Sequence, residues 1–96
     1  MTLQQLRYVI QAADSRSMNE AAKALYISQP SLSEAIKELE KEIGIELFKR
    51  SSHGTVLTPE GEEFLGYARQ VTDQYQLLEN RYIYRTKGKK KLAVFE

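Results

Sequence analysis

The stretch from Ser28 to Gly44 constrains the fold more than any other, because it reads as one amphipathic helix with both ends marked. Leu32, Ile36, Leu39 and Ile43 recur at spacings of four, three and four, so they form a single apolar stripe. Ser28 is a favourable N-cap, and Pro30 falls in the first turn, where its missing N–H is not needed. Gly44 follows the last apolar residue and can take the left-handed conformation that closes a helix. At about 100° per residue, Pro30, Glu34, Lys37 and Lys41 lie opposite the stripe. Ser31 and Ser33 lie on its two flanks, and Gln29 sits at the N-terminal tip. One face is apolar, and the other offers short hydrogen-bonding side chains near its N-terminus.

The flanking segments set this helix in a pattern. From Thr2 to about Asp14, Leu3, Leu6, Ile10 and Ala13 form an apolar stripe with Val9 beside it, and Thr2 can cap the helix. Ser17-Met-Asn-Glu20 has the form of a capping box. It opens a short helix to about Leu25 whose inward residues would be Met18, Ala21, Ala22 and Leu25. The small Ala21 and Ala22 permit close helix approach, and Tyr26-Ile27-Ser28 leads straight into the central helix. Two helices joined by so short a turn make a helix-turn-helix. A helix tipped with Gln and Ser and apolar behind is suited to entering a DNA major groove end-first.

After Gly44 the periodicity changes. Ile45, Leu47, Phe48 and then Thr55-Val56-Leu57 are β-favouring runs around Lys49-Arg50-Ser51-Ser52-His53-Gly54, which predicts a two-stranded hairpin with a basic tip, a wing. Thr58-Pro59-Glu60 then starts a helix with cap, proline and first-turn acid. This long helix is expected to reach about Tyr84. Phe64, Ala68, Val71, Tyr75, Leu78 and Tyr82 alternate in steps of four and three along it, a heptad-like seam. A domain this small can cover the first two or three of those positions, and the remainder calls for a partner. Gly61 and Gly66 weaken the helix. Thr86 to Lys91 reads as a polar linker, and Leu92 to Phe95 as the first strand of a further domain.

Composition excludes more than it identifies. A chain of 96 residues holds one small core. It has no cysteine and a single histidine, so thiolate metal sites are unavailable and His53 has no ligand partners. No glycine-rich phosphate loop or spaced carboxylate pair supports an enzyme reading. No cofactor is expected, nor a secretory signal or membrane span, and the expected location is the cytoplasm. Net charge is +1, yet residues 1–80 hold eight Lys/Arg against twelve Asp/Glu, and residues 81–91 hold six bases and no acid. Charge alone therefore does not point to nucleic acid, whose phosphates usually dominate affinity.

Pattern does. Ala21-Ala22-x-x-Leu25-x-x-Ser28-Gln29-Pro30-Ser31-x-Ser33, Ile36-x-x-Leu39-Glu40-x-x-x-Gly44-x-x-Leu47-Phe48-x-Arg50 and Leu57-Thr58-x-x-Gly61 together resemble the N-terminal DNA-binding domain of LysR-type transcriptional regulators, without a gap to about residue 85. The resemblance implies a mainly α fold: a winged helix-turn-helix over residues 1–58, a dimerising linker helix over 59–85, and a hinge with the start of an effector domain over 86–96. It implies double-stranded DNA with an interrupted palindromic operator as partner, homodimers through the linker helix, tetramers in full-length proteins, and a small-molecule effector only for the missing domain.

Carried over residue by residue, the resemblance makes Gln29 and Ser33 base-edge readers and places Pro30 near a thymine methyl. Ser28 and Ser31 take phosphate-side roles, Arg50 becomes the wing arginine, and His53 occupies a wing position that is often basic in the family. Lys37 joins the DNA-facing set from its place on the outer helix face. Glu34 departs from the family, which commonly has a long polar donor there. It is either a specificity element accepting from cytosine N4 or a side chain turned away from DNA. A rival class also stands: a winged helix that binds only protein, favoured by the acidic balance of residues 1–80.

Overall fold

The computed structural model describes residues 1–84, so the expected linker and strand at 86–96 lie outside the described residues. Its elements are α1 (Leu3–Asp14), α2 (Met18–Leu25), α3 (Gln29–Ile43), β1 (Phe48–Ser51), β2 (Gly54–Leu57) and α4 (Pro59–Glu79), which continues as a π-helical turn over Asn80–Tyr84. This is a winged helix-turn-helix with a long C-terminal helix.

Local chemistry starts each helix. Thr2 Oγ1 accepts from Gln5 N at 3.0 Å while Gln5 Oε1 accepts from Thr2 N at 3.0 Å, a complete capping box. Ser17 Oγ accepts from Glu20 N at 3.1 Å. Among the described residues no return bond from the Ser17 N–H to the Glu20 carboxylate closes the expected box, and the acid instead sits in the first turn, where the helix dipole favours it. Ser28 Oγ accepts from Ser31 N at 3.2 Å, and Thr58 Oγ1 accepts from Gly61 N at 2.8 Å. At the far end of α3, Gly44 has φ 78° and its N–H reaches Glu40 O at 2.8 Å.

The core is Val9, Ala12, Ala21, Ala22, Leu32, Ile36, Leu39 and Leu47, where α1, α2 and α3 meet the start of the wing. On α1 the buried residues are Leu6, Val9 and Ala12, whereas Leu3, Ile10 and Ala13 of the expected stripe are only half-buried. The reason is that α1 packs against α2, α3 and α4 together, so its buried line bisects several neighbours rather than facing one.

The wing also differs in detail. Ile45 is exposed and Leu47 is wholly buried ahead of the first strand, which begins at Phe48. Register pairs Phe48 with Leu57, Lys49 with Val56, Arg50 with Thr55 and Ser51 with Gly54. Lys49 and Arg50 therefore lie within β1, and only Ser52 and His53 form the loop. The strand starts late because the Glu40 carboxylate captures the N–H groups of Leu47 (2.7 Å) and Phe48 (3.2 Å). Thr58 pins the other side, donating its hydroxyl to Glu46 O at 2.6 Å and its N–H to Leu47 O at 2.9 Å.

Helix α4 lies on α1 and then runs beyond it, giving the described chain extents of 57 × 24 × 19 Å. Asp14 Oδ1 and Oδ2 accept from Arg69 Nη2 and Nη1 at 2.7 and 3.2 Å, and the Arg7 guanidinium stands 5.5 Å from the centre of the Tyr75 ring. Gly61 is required by packing: a Cβ there would run into the Leu47 carbonyl.

Candidate nucleic-acid interface

The outer face of α3 carries Pro30, Ser31, Glu34, Lys37 and Lys41, all exposed, with Gln29 and Ser33 half-buried at its N-terminal edge. Short bonds already order the tip. Gln29 Nε2 donates to Ser33 Oγ at 2.6 Å, and the Ser28 hydroxyl donates to Ser31 Oγ at 2.8 Å. A trough of about 920 Å³ runs along this face from Pro30, Ser33 and Glu34 to Ile45 and Glu46.

The wing adds a second wall. Ser33 and Lys37 of α3 line one concavity with Lys49, Arg50 and Thr55 of the hairpin, about 190 Å³ in volume. The fold thus brings Arg50 to the same hollow as Ser33 and Lys37. His53 stands exposed in the hairpin loop, its N–H donated to Ser51 Oγ at 3.1 Å. Lys37 and Lys41 line the same trough as Glu34 and Glu38, but among the described residues the ion pairs are only the Met1 ammonium with Glu42 and Arg69 with Asp14. The cations on α3 remain unneutralised by their helix neighbours. No group of acids, histidines or cysteines that could hold a metal ion occurs among the described residues.

Two residues gained a role only from the fold. Glu40 is part of the motif on α3, but only the fold shows its carboxylate seating the wing. Lys49 lies in β1 beside Arg50 rather than in the loop and lines the same hollow.

On α4 the seam divides. Ala68 is buried and Phe64 half-buried against the domain's own core, whereas Val71, Leu78 and Tyr82 are exposed. Tyr75 is half-buried. Tyr67, outside the expected set, is 63% exposed and extends the exposed stripe towards the N-terminus. A groove of about 610 Å³ on this side is lined by Leu3, Val71, Tyr75, Leu78 and Tyr82 among others.

A helix-turn-helix whose second helix presents an ordered polar tip, with a hairpin bearing Arg and Lys beside it, is the architecture of a DNA-binding regulatory domain. Residues 3–62 match the family described as "Bacterial regulatory helix-turn-helix protein, lysR family". The chain belongs to that family. It is 43% identical over 76 residues to YxjO, an uncharacterized HTH-type transcriptional regulator of Bacillus subtilis (strain 168), covering 79% of this chain and 26% of that protein. It is 52% identical over 64 residues to the HTH-type transcriptional regulator BudR of Klebsiella aerogenes, covering 67% of this chain and 45% of that one. Among solved structures, it is similar to the BenM DNA-binding domain in its complex with catB site 1 DNA, with TM-score 0.82, 33% identity and coverage of 94% of this chain and 95% of that chain. The CbnR DNA-binding domain in its DNA complex matches with TM-score 0.79 and 36% identity over 84% of this chain and 93% of that one. The chain spans less than half the length of these two curated relatives, which are transcriptional regulators and not enzymes.

Proposed function

We propose that this chain is the DNA-binding portion of a LysR-type transcriptional regulator and reads double-stranded DNA as a homodimer. Helix α3 enters the major groove tip-first. Gln29 and Ser33 face base edges, Pro30 lies against them, and Ser28 and Ser31 meet phosphate at the groove edge. Lys37 and the wing residues Arg50 and His53 supply the electrostatic contacts. The observation that carries this reading is the shared hollow of Ser33, Lys37 and Arg50, which puts base-reading and phosphate-binding chemistry side by side. The solved DNA complexes of similar domains support it.

Dimerisation is assigned to the seam of α4 that lies beyond the domain's own core: Tyr67, Val71, Tyr75, Leu78 and Tyr82. Exposed apolar side chains in heptad-like steps on a helix that outruns its own domain favour a second copy over solvent. Two such domains related by a two-fold axis would present their α3 helices to successive major grooves about 34 Å apart, matching an interrupted palindrome. In this reading residues 1–58 serve as the winged domain and the helix after them as the linker, while a small-molecule-sensing domain and a cytoplasmic tetramer belong to the full-length regulator.

Selection of bound sequences from random duplex DNA tests this directly. Recovery of an interrupted palindrome, with two chains per duplex by sedimentation, is expected. The rival reading, a protein-binding winged helix, draws on the acidic balance of residues 1–80. Failure to retain any duplex in moderate salt would favour it.

A further inference from the structure

We propose that Tyr26 is a DNA-anchoring residue, its phenolic O–H donating a hydrogen bond to a backbone phosphate beside Ser28 and Ser31. The proposal rests on the DNA-binding reading above and adds to it a residue outside the motif that defines the family resemblance.

The backbone supplies the first observation. Tyr26 closes α2 with φ 60° and ψ 40°, and it is the only non-glycine residue with positive φ among those described. Its N–H bonds to Lys23 O at 3.1 Å, and the following Ile27 N–H bonds to Ala22 O at 3.0 Å. A left-handed residue in this position is ordinarily Gly, or else Asn, because a Cβ is strained there. A ring-bearing side chain at positive φ is a true outlier whose cause lies elsewhere.

Packing of Ala22 and Ile27 sets the backbone path here, but no contact within the fold calls for an aromatic ring on it. Tyr26 is 94% exposed, the highest exposure among the large hydrophobic residues described. Among the described residues no hydrogen bond or ring contact engages its side chain. Its neighbours are anchored, with Ala22 buried and Leu25 and Ile27 packed against the core, so the turn that presents the ring is held firmly.

Placement supplies the occupant. Tyr26 lies two residues before Ser28, the cap of α3, and Lys23, Tyr26, Ser28 and Ser31 are all exposed. A helix that enters a groove N-terminus first leaves the chain leading into it at the groove's edge, where the sugar–phosphate backbone runs. Tyr hydroxyls are among the groups that bond phosphate oxygens there, fixing register without reading sequence. A phenol is neutral, so this contact releases no counterion. It therefore contributes affinity without steepening the salt dependence.

The test uses the 96-residue chain and compares wild type, Tyr26→Phe and Tyr26→Asn by fluorescence anisotropy. Each is titrated with the selected operator and with random duplex across a salt series, and each is melted. Tyr26→Phe should weaken binding about tenfold on both duplexes with the salt slope unchanged. Tyr26→Asn should bind equally weakly yet melt at or above the wild-type temperature, because Asn tolerates the left-handed backbone. Wild-type affinity in Tyr26→Phe, or a loss confined to the selected operator, overturns the assignment alone. Absence of any duplex binding by the wild-type chain overturns the DNA-binding reading and this one with it.

Discussion

Gln29 and Ser33 are joined across one turn of α3 by a 2.6 Å bond from the Gln29 amide to the Ser33 hydroxyl. An amide nitrogen has two N–H groups, and this bond uses one. The other N–H and Oε1 remain as a donor–acceptor pair that matches adenine N7 and N6. Ser33 thus fixes the side chain proposed to read a base, as well as being able to bond a base itself.

Gln29→Ala should lose about 1–3 kcal/mol of discrimination at one base pair and leave binding to random duplex nearly intact. Ser33→Ala should lose discrimination at that same pair. The double substitution should fall short of additivity by at least about 0.5 kcal/mol. Affinities for a panel of single-base operator variants measure this. Strict additivity would show that the two side chains act separately.

Arg50 and Glu34 should move affinity in opposite directions. Arg50 faces the hollow between wing and helix, so Arg50→Ala should weaken all duplexes alike and lower the salt slope by about one. Glu34 is exposed on the trough beside Pro30 and Lys37, with no ion-pair partner among the described residues. Removing its charge should tighten binding everywhere, most at low salt, where the repulsion is least screened. Titration of Glu34→Gln across the salt series checks it. An affinity loss confined to cytosine-bearing operators would instead assign Glu34 to a base.

Two glycines of α4 should respond in opposite ways to the same change. Gly61→Ala sets a methyl against the Leu47 carbonyl and should destabilise the domain by about 1–3 kcal/mol, the usual cost of overpacking. At Gly66 an added methyl would meet nothing within 4 Å, so Gly66→Ala should gain about 0.5–1 kcal/mol from helix propensity. Urea unfolding midpoints distinguish the two.

The Asp14–Arg69 pair should give stability an acid-side dependence. Arg69 hydrogen bonds, opposed in part by burial, hold the Asp14 carboxyl below its ordinary 3.8. The folded state therefore binds fewer protons than the unfolded one around that pH. The contribution is complete above the ordinary value and fades as pH falls through the depressed one. Both side chains are nearly half exposed, so Asp14→Asn should cost no more than about 1 kcal/mol at neutral pH. Denaturant melts at neutral and strongly acidic pH should show that cost disappearing in acid.

Much of the architecture is legible in the sequence because its signals are local. Ser28, Pro30 and Gly44 mark α3 through backbone groups within a turn of themselves, and Thr58-Pro59 mark α4 in the same way. The outward face of α3 is legible too, since a helix stripe determines the opposite face by geometry alone. What needed the tertiary structure were the relationships between elements. Whether Ala12 or Ala13 is buried depends on how α1 is shared among three helices. The late start of β1 depends on a carboxylate of α3 reaching Leu47 and Phe48. The need for glycine at 61 arises from a carbonyl brought against α4 by the wing. Even the left-handed turn at Tyr26 runs against its residue type, because the packing of Ala22 and Ile27 determines the path of the chain between them. Local hydrogen bonds and periodicity can be read along a sequence, but contacts made across the core depend on distances that no spacing encodes.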